Sequence, residues 1–342
     1  MSGTSLDGID LAWCQFCHGD KGWAYQIRKA CTIPYNDIFK QRLFNATTLS
    51  ALEYAKLNVE EGEYIATAIN QWLKTDEKPQ YIASHGHTVF HQPEIGLTTQ
   101  IGSGAVIAAR TGITTVCDFR TTDVALKGQG APLVPIGDEL LFKQYDACLN
   151  LGGFSNISFR KGQRRIAFDV SPCNMALNSI AKLWGQTYDK DGEMAKSGQV
   201  IPKMLNELNS LPYYKKQSPK SLGKEWYDSQ FLPIMMKYMD NFLLNDCQRT
   251  VTEHIVYQIV QSISKDTHSL LVTGGGAHNK FLIEQLSKKC PCKLYVPDDL
   301  TVDFKEALIF AFLGMLRLEG IPNCLNSVTG AIRNCCSGAV YL

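Results

Sequence analysis

Glycine-rich segments that also carry hydroxyl or carboxylate side chains recur along this sequence. The first places glycines, two hydroxyl groups and acidic side chains in one short turn. Glycine lets backbone N–H groups converge on an anion without a Cβ in the way, and hydroxyl groups add donors. The turn therefore predicts phosphate binding, with a plain tight hairpin as the alternative interpretation. Its candidate residues are Gly3, Thr4, Ser5, Leu6, Asp7, Gly8, Ile9 and Asp10.

Two further glycine turns follow predicted strands. Leu151 to Asn156 separates two apolar strands and predicts a hairpin, whereas Thr273 to Ala277 ends a strand and precedes a helical pattern. A turn of the second kind lets a ligand lie against backbone amides at a helix N-terminus. The three turns together predict a split nucleotide site, in which hairpins hold phosphates and the last turn makes room for the purine and ribose. The candidate residues are Gly152, Gly153, Gly274, Gly275, Gly276 and Asn279.

Asp169 is the candidate catalytic residue. It follows the predicted strand Arg165 to Phe168 and precedes Pro172 to Asn174, where a helix should begin. A carboxylate at the end of a strand can take a proton from water. On the residues alone, the alternative that Asp169 or Ser171 merely caps the helix remains open.

Strand and helix patterns alternate around these segments. Leu52 to Leu73 carries an apolar stripe with helical spacing, and Ala147 to Asn150 and Ser269 to Val272 are apolar runs of strand length. Alternating strands and helices predict an α/β fold with helices covering a mixed sheet. Because no linker composition occurs, a domain boundary should be a compact hinge, for which Tyr145-Asp146 is the best candidate.

The composition of the chain argues against a nucleic-acid-binding protein and against a membrane protein. The chain has 342 residues, 45% of them apolar and 20% charged, with a formal net charge of +1. At about 150 residues per domain, two domains are expected. The absence of basic excess argues against a nucleic-acid partner. The longest apolar run, Ala307 to Leu316, is shorter than the roughly 20 residues of a membrane-spanning helix, so no membrane association is predicted and the expected location is cytoplasmic.

Cysteine and histidine usage raises the question of a metal. The 12 cysteines are expected to be reduced, and Cys14 to Cys17 with Cys290 to Cys292 could be read as a zinc site. The alternation around Cys14 is more typical of a strand. His85, His87 and His91 are more consistent with packing and hydrogen bonding in loops, so no protein-bound metal is predicted.

A series of motifs runs in order from the first glycine turn to the C-terminal part of the sequence. They are Met1 to Asp10, Ser84 to Thr88, Gln100 to Gly102, Asp118 to Arg120, Gly128 to Pro135, Asn150 to Asn156, Phe168-Asp169, Tyr188 to Gly192, Pro219 to Ser221, Gly274 to Asn279 and Ser327 to Ala331. In these motifs the chain resembles the anhydro-N-acetylmuramic acid kinases over nearly its whole length.

This resemblance implies a two-lobed, actin/hexokinase-like ATPase fold of the α/β class, with mixed sheets flanked by helices and with nucleotide and sugar in the cleft between the lobes. Residues 1–145 with 305–342 would form an N-lobe that holds the first phosphate loop and the substrate contacts. Residues 146–304 would form a C-lobe with the second phosphate hairpin and the adenosine-side turn. Relatives suggest a homodimer, for which no pattern in the sequence gives independent support.

The resemblance also implies the reaction. Such a kinase hydrolyses the internal anhydro bridge of the sugar and phosphorylates its 6-hydroxyl with ATP. Asp169 would activate the water, and Mg²⁺ would be held mainly by phosphates and waters, with Asp7 and Asp169 as outer carboxylates. Glu306, Arg120 and Thr88 would contact the sugar. Glu306 as a helix-dipole partner, and Arg120 as an ion-pair partner of Asp118 or Asp123, remain open alternatives.

The chain departs from the family pattern at several positions. Family members carry a short strand before the first glycine turn, so either the true start lies upstream or this form binds ATP poorly. Ser171 and Cys173 stand where glycines flank the proline and could alter how closely substrate approaches. Lys127 replaces a glycine and His87 a glutamine. These changes leave the reaction class intact but affect the expected sugar contacts.

Three other functions are alternatives to the anhydro-sugar kinase reaction. A kinase or ATPase of the same superfamily that acts on a plain hydroxyl group is the first alternative. A sugar-sensing regulator would need an N-terminal DNA-binding segment, and the near-zero charge argues against it. An actin-like filament protein would hydrolyse ATP without any dependence on sugar.

Overall fold

The structure, a computed structural model, describes residues 1–2, 6–74 and 77–342. The chain forms two compact units: a first unit of Met1–Leu141 with Phe304–Leu342, and a second unit of Phe142–Asp303. The binding roles that the sequence assigned to two lobes stay a prediction. Within the described residues, no helix has both the length and the apolar character required to cross a membrane.

The N-terminal part of the first unit alternates strands and helices. Its elements are β1 (Gly8–Gly19), β2 (Gly22–Pro34), α1 (Asp37–Phe44), α2 (Ala51–Leu73), β3 (Ile82–Ser84), β4 (His87–Gln92), β5 (Leu97–Ile101), α3 (Gly104–Thr111), β6 (Thr115–Cys117), α4 (Thr121–Ala125) and α5 (Pro135–Leu140).

The second unit begins with three strands and continues with helices. Its elements are β7 (Ala147–Leu151), β8 (Phe154–Lys161), β9 (Arg164–Pro172), α6 (Asn174–Leu183), α7 (Glu193–Ser197), α8 (Pro202–Asn209), α9 (Lys224–Trp226), the π-helical turn Tyr227–Phe231, α10 (Leu232–Met239), α11 (Leu244–Ser262), β10 (Ser269–Thr273), α12 (Lys280–Lys289) and β11 (Lys293–Tyr295).

A long helix leads from the second unit back into the first. This helix, α13 (Asp299–Leu318), has a non-helical residue, Phe304, at φ −115° and ψ 15°, so the chain kinks where the first unit resumes. The remaining elements are α14 (Asn326–Thr329) and β12 (Ala339–Tyr341).

The second unit is built on one five-stranded mixed sheet with the order β11-β10-β7-β8-β9. β11, β10 and β7 are parallel, whereas β7, β8 and β9 are joined as antiparallel hairpins. A continuous apolar core lies between this sheet and helices that include α6 and α11, whose inward residues are almost fully buried. The second unit thus has a hydrophobic core of its own.

The first unit contains smaller sheets. β3, β6 and β12 form a three-stranded sheet in which β3 and β6 are parallel and β12 is antiparallel to β6. β1 and β2 form a long antiparallel ribbon, and β4 and β5 form a hairpin. A second apolar core gathers around α2, whose buried face includes Leu57, Ile65 and Ile69.

The fold class predicted from the sequence is confirmed, because mixed sheets flanked by helices occur in both units. The helix predicted at Leu52 to Leu73 is α2, and its N-terminus is capped by Ser50, whose side chain accepts a hydrogen bond from the Glu53 N–H. Cys14 and Cys17 lie on β1, as the alternation predicted.

Candidate active site

Asp169 lies at a β-bulge inside β9. The pairing of β8 with β9 runs from Ser155 opposite Ser171 to Asn156 opposite Asp169, so Val170 is an extra residue in the ladder. A bulge of this kind changes the direction of neighbouring side chains and is frequent beside active sites. The sequence placed Asp169 after its strand, which is wrong, because β9 continues to Pro172.

Three hydrogen bonds position Asp169, and their partners are Tyr213 and the segment 220–222. The Leu222 N–H donates to Asp169 Oδ2 at 2.8 Å, and the Asp169 N–H donates to the Lys220 carbonyl at 3.3 Å. The Tyr213 hydroxyl donates to the Asp169 carbonyl at 2.6 Å. No described residue donates a hydrogen bond to Asp169 Oδ1. One carboxylate oxygen is therefore fixed, while the other keeps its lone pairs for a ligand.

The surroundings of Asp169 favour its protonated form. Burial raises the pKa of this half-buried carboxyl group, and the hydrogen bond from the Leu222 N–H opposes the rise. The Lys220 ammonium lies 5.4 Å from the ring centre of Phe168 and 4.7 Å from that of Tyr213, and burial lowers its pKa. A carboxylate with a raised pKa is the stronger base once it has lost its proton.

The alternative role as a helix cap is excluded. α6 begins at Asn174 with Cys173 as its N-cap, and no side chain of the described residues caps it. The N–H groups of Cys173 and Asn174 instead donate to the carbonyls of Gly153 and Gly152, at 2.8 and 3.1 Å. Ser171 points inward, where its hydroxyl lies 3.2 Å from that of Ser155.

The second unit brings its two predicted glycine turns together. Gly274 has φ +84°, and a Cβ there would lie 2.5 Å from Asn150 Oδ1. A Cβ on Gly276 would lie 2.7 Å from the Cβ of Leu151. The turn after β10 therefore packs directly against the hairpin between β7 and β8, and only glycine allows this approach.

Gly153, at the tip of that hairpin, differs from these glycines. Among the described residues, the nearest atom to a Cβ placed there would be Met175 Cε at 3.9 Å, which is ordinary contact. Gly153 is exposed, so the packing of the described residues does not require a glycine at this position. A glycine that the fold does not require is consistent with close approach of a ligand.

Asn279 has a structural role that the sequence did not predict. Its Oδ1 accepts a hydrogen bond from the Leu282 N–H at 2.9 Å and so caps α12. The same oxygen would lie 2.3 Å from a Cβ on Gly192, so the side chain packs closely against that turn. The predicted nucleotide contact of Asn279 stays a prediction, and its Oδ1 is already engaged.

Only part of the first glycine turn can be placed, because Gly3, Thr4 and Ser5 lie outside the described residues. The side chains of Leu6 and Ile9 are buried in the core of the first unit. Gly8 begins β1, and a Cβ there would lie 2.3 Å from the Ile33 carbonyl oxygen. The fold itself thus explains these three residues.

The two carboxylates of that turn have different surroundings. Asp7 is exposed, and one of its oxygens lies 3.9 Å from Lys40 Nζ. Asp10 accepts a hydrogen bond from the Thr32 hydroxyl across the ribbon at 2.6 Å. Of the two, Asp7 is the carboxylate that remains accessible to a ligand.

Arg120 is held by two neutral acceptors in the first unit. Its Nε donates to His85 Nε2 at 3.0 Å and its Nη1 donates to the Gly130 carbonyl at 2.7 Å. Asp118 accepts from the Thr121 hydroxyl instead, and Asp123 from Gly130 N and Thr329. In the described residues Arg120 therefore makes no ion pair with either aspartate, and its Nη2 has no hydrogen-bond partner.

Glu306 lies on α13 just beyond the kink at Phe304. Its side chain is exposed to solvent, yet enough protein surrounds it that desolvation raises its pKa, against the charge of Arg120. Burial lowers the pKa of Arg120, and the charge of Glu306 opposes that change. The charge of each group thus favours the charged form of the other.

The three histidines have separate partners. His85 Nδ1 lies 2.9 Å from the Gly86 carbonyl, so the bonding pattern assigns the proton to Nδ1 and leaves Nε2 to accept from Arg120. Burial lowers the pKa of His85 well below its usual range. His87 Nδ1 contacts the Ser2 hydroxyl at 3.3 Å, and His91 Nδ1 contacts the Thr98 hydroxyl at 3.1 Å.

Thr88, the third predicted sugar contact, lies on β4 opposite Gln100, next to an irregularity in the pairing of β4 with β5. The structure places it two residues beyond the glycine that follows His85, and no hydrogen bond of its side chain is found in the described residues. Its role stays a prediction.

Residues that depart from the family pattern have clear local explanations. Ser171 and Cys173 are fully buried in the second unit, and their expected effect on the approach of substrate stays a prediction. Lys127 is exposed with φ +66°, a conformation that favours glycine.

The similarity of this sequence to known proteins extends over the whole chain. The sequence profile described as anhydro-N-acetylmuramic acid kinase matches residues 1–342. The anhydro-N-acetylmuramic acid kinase of Pseudomonas fluorescens (strain Pf0-1) is 36% identical over 359 residues, which cover 100% of this chain and 98% of that protein. The enzyme of the same name from Aliivibrio fischeri (strain ATCC 700601 / ES114) is 37% identical over 365 residues, covering 100% and 97%.

Solved structures are more distant. A ROK family glucokinase from Streptomyces griseus, in complex with glucose and AMPPNP, overlaps with 88% of this chain and 97% of its own, at 12% identity and a TM-score of 0.38. This overlap is too low to support an inference about this chain.

Proposed function

Because this chain belongs to the anhydro-N-acetylmuramic acid kinase family, we propose that it opens 1,6-anhydro-N-acetylmuramic acid with water and phosphorylates it with ATP. As a member of this family the chain is a phosphotransferase with a hydroxyl group as acceptor. The product would be N-acetylmuramic acid 6-phosphate, which returns a cell-wall sugar to metabolism. The proposed compartment is the cytoplasm.

The Asp169 carboxylate is the observation that carries this proposal. Oδ2 is fixed by the Leu222 N–H, and no described residue donates to Oδ1. Oδ1 would accept a proton from water while the water oxygen forms a bond to the anomeric carbon. The bond from that carbon to the 6-oxygen breaks, and its electron pair stays on the 6-oxygen, which then attacks the γ-phosphorus of ATP. ADP leaves with the electrons of the broken phosphate bond.

A single carboxylate suffices for this chemistry. Ordinary glycosidases use two, because their leaving oxygen must receive a proton. Here the 6-oxygen is captured by phosphate, so a second acid has no necessary role. The partial burial of Asp169 raises its pKa and makes it the stronger base at neutral pH.

Glu306 and Arg120 are the proposed sugar contacts, together with Thr88. Arg120 is oriented by His85 and Gly130 and keeps Nη2 for the lactyl carboxylate of the sugar. His85 stays neutral and accepts a hydrogen bond from Arg120, so this acceptor does not offset the positive charge of the guanidinium. Glu306 would accept hydrogen bonds from sugar hydroxyl groups.

The glycine turns are the proposed nucleotide contacts. Gly152 and Gly153 would offer backbone N–H groups to phosphates, and Gly274 to Gly276 would leave room for the nucleoside. Asp7 and Asp169 are oxygen donors of the type that Mg²⁺ prefers, and both are at least partly accessible. Each is proposed as an outer carboxylate for Mg²⁺, which would be bound mainly through phosphate oxygens and waters and would neutralise phosphate charge.

Heavy-oxygen water tests the proposed reaction. The enzyme would convert anhydro sugar and ATP in labelled water, and mass spectrometry would locate the label in the product. We expect the label on the anomeric oxygen and none in the phosphate. Label in the phosphate would contradict the proposal. Phosphorylation of ordinary N-acetylmuramic acid at a rate equal to that of the anhydro sugar would favour a plain hydroxyl kinase instead.

Asp169→Asn tests the base. The amide keeps an oxygen for the Leu222 N–H but cannot take a proton, so turnover should fall by roughly 100-fold to 10,000-fold, with ATP binding nearly unchanged. Asp228→Asn, at an exposed ion pair with Lys224 in the same unit, is the matched control and should keep full turnover. Normal turnover by Asp169→Asn would remove Asp169 from the base role.

A further inference from the structure

Two cysteines and an aspartate converge in the interior of the first unit. A carboxylate oxygen of Asp123 and the sulfur atoms of Cys324 and Cys335 all lie within 4.8 Å of one another. All three residues are buried, with Asp123 fully inaccessible to solvent. No role has been given to any of them in the kinase reaction.

The backbone brings the two cysteines together. Cys324 and Cys335 form an isolated antiparallel bridge, in which the Cys324 N–H donates to the Cys335 carbonyl at 3.1 Å and the reverse bond is 3.3 Å. Directly opposed residues of an antiparallel pair place their side chains on the same face. The two sulfur atoms are therefore held near each other by main-chain hydrogen bonds.

Asp123, on α4, is oriented by a second layer of contacts. The Thr329 hydroxyl donates to Oδ1 at 2.8 Å and the Gly130 N–H donates to Oδ2 at 2.8 Å. Both donors are neutral, so these bonds fix the carboxylate without neutralising its charge. A buried carboxylate whose charge is not neutralised is costly, and a cation at this place would offset that cost.

We propose that Asp123, Cys324 and Cys335 form a binding site for a thiophilic divalent cation, with Zn²⁺ as the expected ion. Two thiolates and a carboxylate are ligands that zinc prefers, whereas Mg²⁺ and Ca²⁺ prefer oxygen ligands alone. Three protein ligands leave the fourth tetrahedral position to water. Binding would release the two thiol protons to solvent, and no oxidation or reduction takes place.

Such a cation would stiffen the support of Arg120. The Gly130 N–H donates to Asp123, and the Gly130 carbonyl accepts from Arg120. The bridge between Cys324 and Cys335 would be tied to α4 and to this loop by the same ion. The expected role is therefore to fix the loop behind Arg120, and not to contact substrate.

Metal titration of the reduced full-length chain tests this site. After chelator treatment, Zn²⁺ would be added in competition with a chromophoric chelator. We expect one tightly bound Zn²⁺ per chain in the wild type and in Cys336→Ser, whose sulfur contacts the Arg317 carbonyl instead. Cys335→Ser should weaken binding by more than roughly 100-fold, and the outer-layer variant Thr329→Val by about 10-fold.

Cobalt gives a readout that does not depend on activity. Thiolate-to-cobalt absorption should appear when Co²⁺ is added to the wild type or to Cys336→Ser, and should be lost in Cys335→Ser. If Cys335→Ser fails to fold, the affinity of Thr329→Val for Zn²⁺ tests the site instead, and it should be about 10-fold weaker than that of the wild type. Absence of tight binding in the wild type, equal affinity in Cys335→Ser, or loss of binding only in a Cys290→Ser, Cys292→Ser double variant would each overturn the proposal.

Discussion

The carboxyl group of Glu61 is buried inside the first unit, where one of its oxygens accepts a hydrogen bond. The Tyr35 hydroxyl donates to Oε1 at 2.6 Å, no described residue donates a hydrogen bond to Oε2, and the residue is fully buried. A tyrosine has one hydroxyl proton, so Tyr35 accepts from Ser2, whose hydroxyl lies 2.9 Å away. Burial raises the pKa of Glu61 to about 7. Glu61 should therefore lose its proton near neutral pH.

Glu61→Gln should change how stability depends on pH. A raised pKa in the folded state stabilises the protein below the ordinary pKa of a glutamate, and this stabilisation is lost as the pH rises through about 7. Relative to Glu61→Gln, the wild type should lose up to about 3 kcal/mol of unfolding free energy between about pH 5 and about pH 8. Urea denaturation at several pH values measures this difference.

Glu63→Gln is the matched control, because Glu63 lies on the same helix and pairs with Arg110 at the surface. This variant should show the same pH dependence as the wild type. An identical pH dependence for the wild type and Glu61→Gln would show that Glu61 does not titrate in this range.

At the scale of elements, the kink of α13 is accompanied by a buried ion pair. Lys305 Nζ lies 2.7 Å from Asp138 Oδ1, and both side chains are almost fully buried. Asp138 lies on α5, so the pair joins the two helices immediately before Glu306. A buried pair contributes little net stability, but loss of one partner removes the opposite charge that the other faces.

Lys305→Met should therefore destabilise the protein by about 3 to 5 kcal/mol, and the double variant Lys305→Met, Asp138→Leu should recover much of that loss. Chemical denaturation of the single and double variants gives the coupling free energy. Effects of the two substitutions that simply add would argue against a direct pair at this position.

The hairpin between β7 and β8 allows a test of nucleotide binding that leaves the fold intact. Gly153→Ala adds a methyl group whose nearest neighbour among the described residues is Met175, so thermal stability should be nearly unchanged. If phosphates approach this backbone, the affinity for ATP should fall by about 10-fold, since the methyl group holds them away. Isothermal titration calorimetry measures the affinity.

Gly19→Ala is the control, because an added Cβ at Gly19, at the end of β1, would have no atom of the described residues within 4 Å. It should leave ATP affinity unchanged. Equal affinity of Gly153→Ala and the wild type would place the phosphates elsewhere.

Local patterns predicted the elements better than the chemistry within them. The apolar stripe of α2 and the hairpin after Asn150 follow from side-chain period and from glycine, which are local signals. The bulge at Val170 depends on the register between β8 and β9, and register is not visible in one strand alone. The position of Asp169 within its strand was therefore missed.

The structural roles of several site residues were not visible in the sequence, for related reasons. Asn279 was predicted as a ligand contact, but Asn in front of a helix is equally typical of an N-cap, and it fills that role. Tyr213 and Leu222 hold Asp169 from a distant segment, and only the resemblance at Pro219 to Ser221 signalled it. Lys127 at φ +66° shows why the family pattern has glycine there.

At the scale of the whole molecule, the two units differ in the number of chain segments that form them. The second unit is one continuous stretch, Phe142–Asp303, whereas the first unit needs Phe304–Leu342 in addition to Met1–Leu141. β12 pairs with β6, and Phe310 packs against Phe119, so the last stretch supplies parts of the interior of the first unit.

Fragments should therefore behave differently. A fragment of residues 142–303 should unfold cooperatively, because its sheet and core are complete. A fragment of residues 1–141 should lack cooperative unfolding until residues 304–342 are coexpressed with it. Circular dichroism during heating distinguishes these cases, and a sharp transition of 1–141 alone would contradict the expectation.

The return of the chain to its first unit has a consequence for biosynthesis. While a ribosome is still making the second unit, Phe119 and Val116 have been translated, but their partners Phe310 and Val340 have not. The first unit must wait, with apolar surface open to chaperones, until Phe304–Leu342 has been made. Premature termination near Phe304 would release a chain in which one half is finished and the other is recognisable to quality-control proteases.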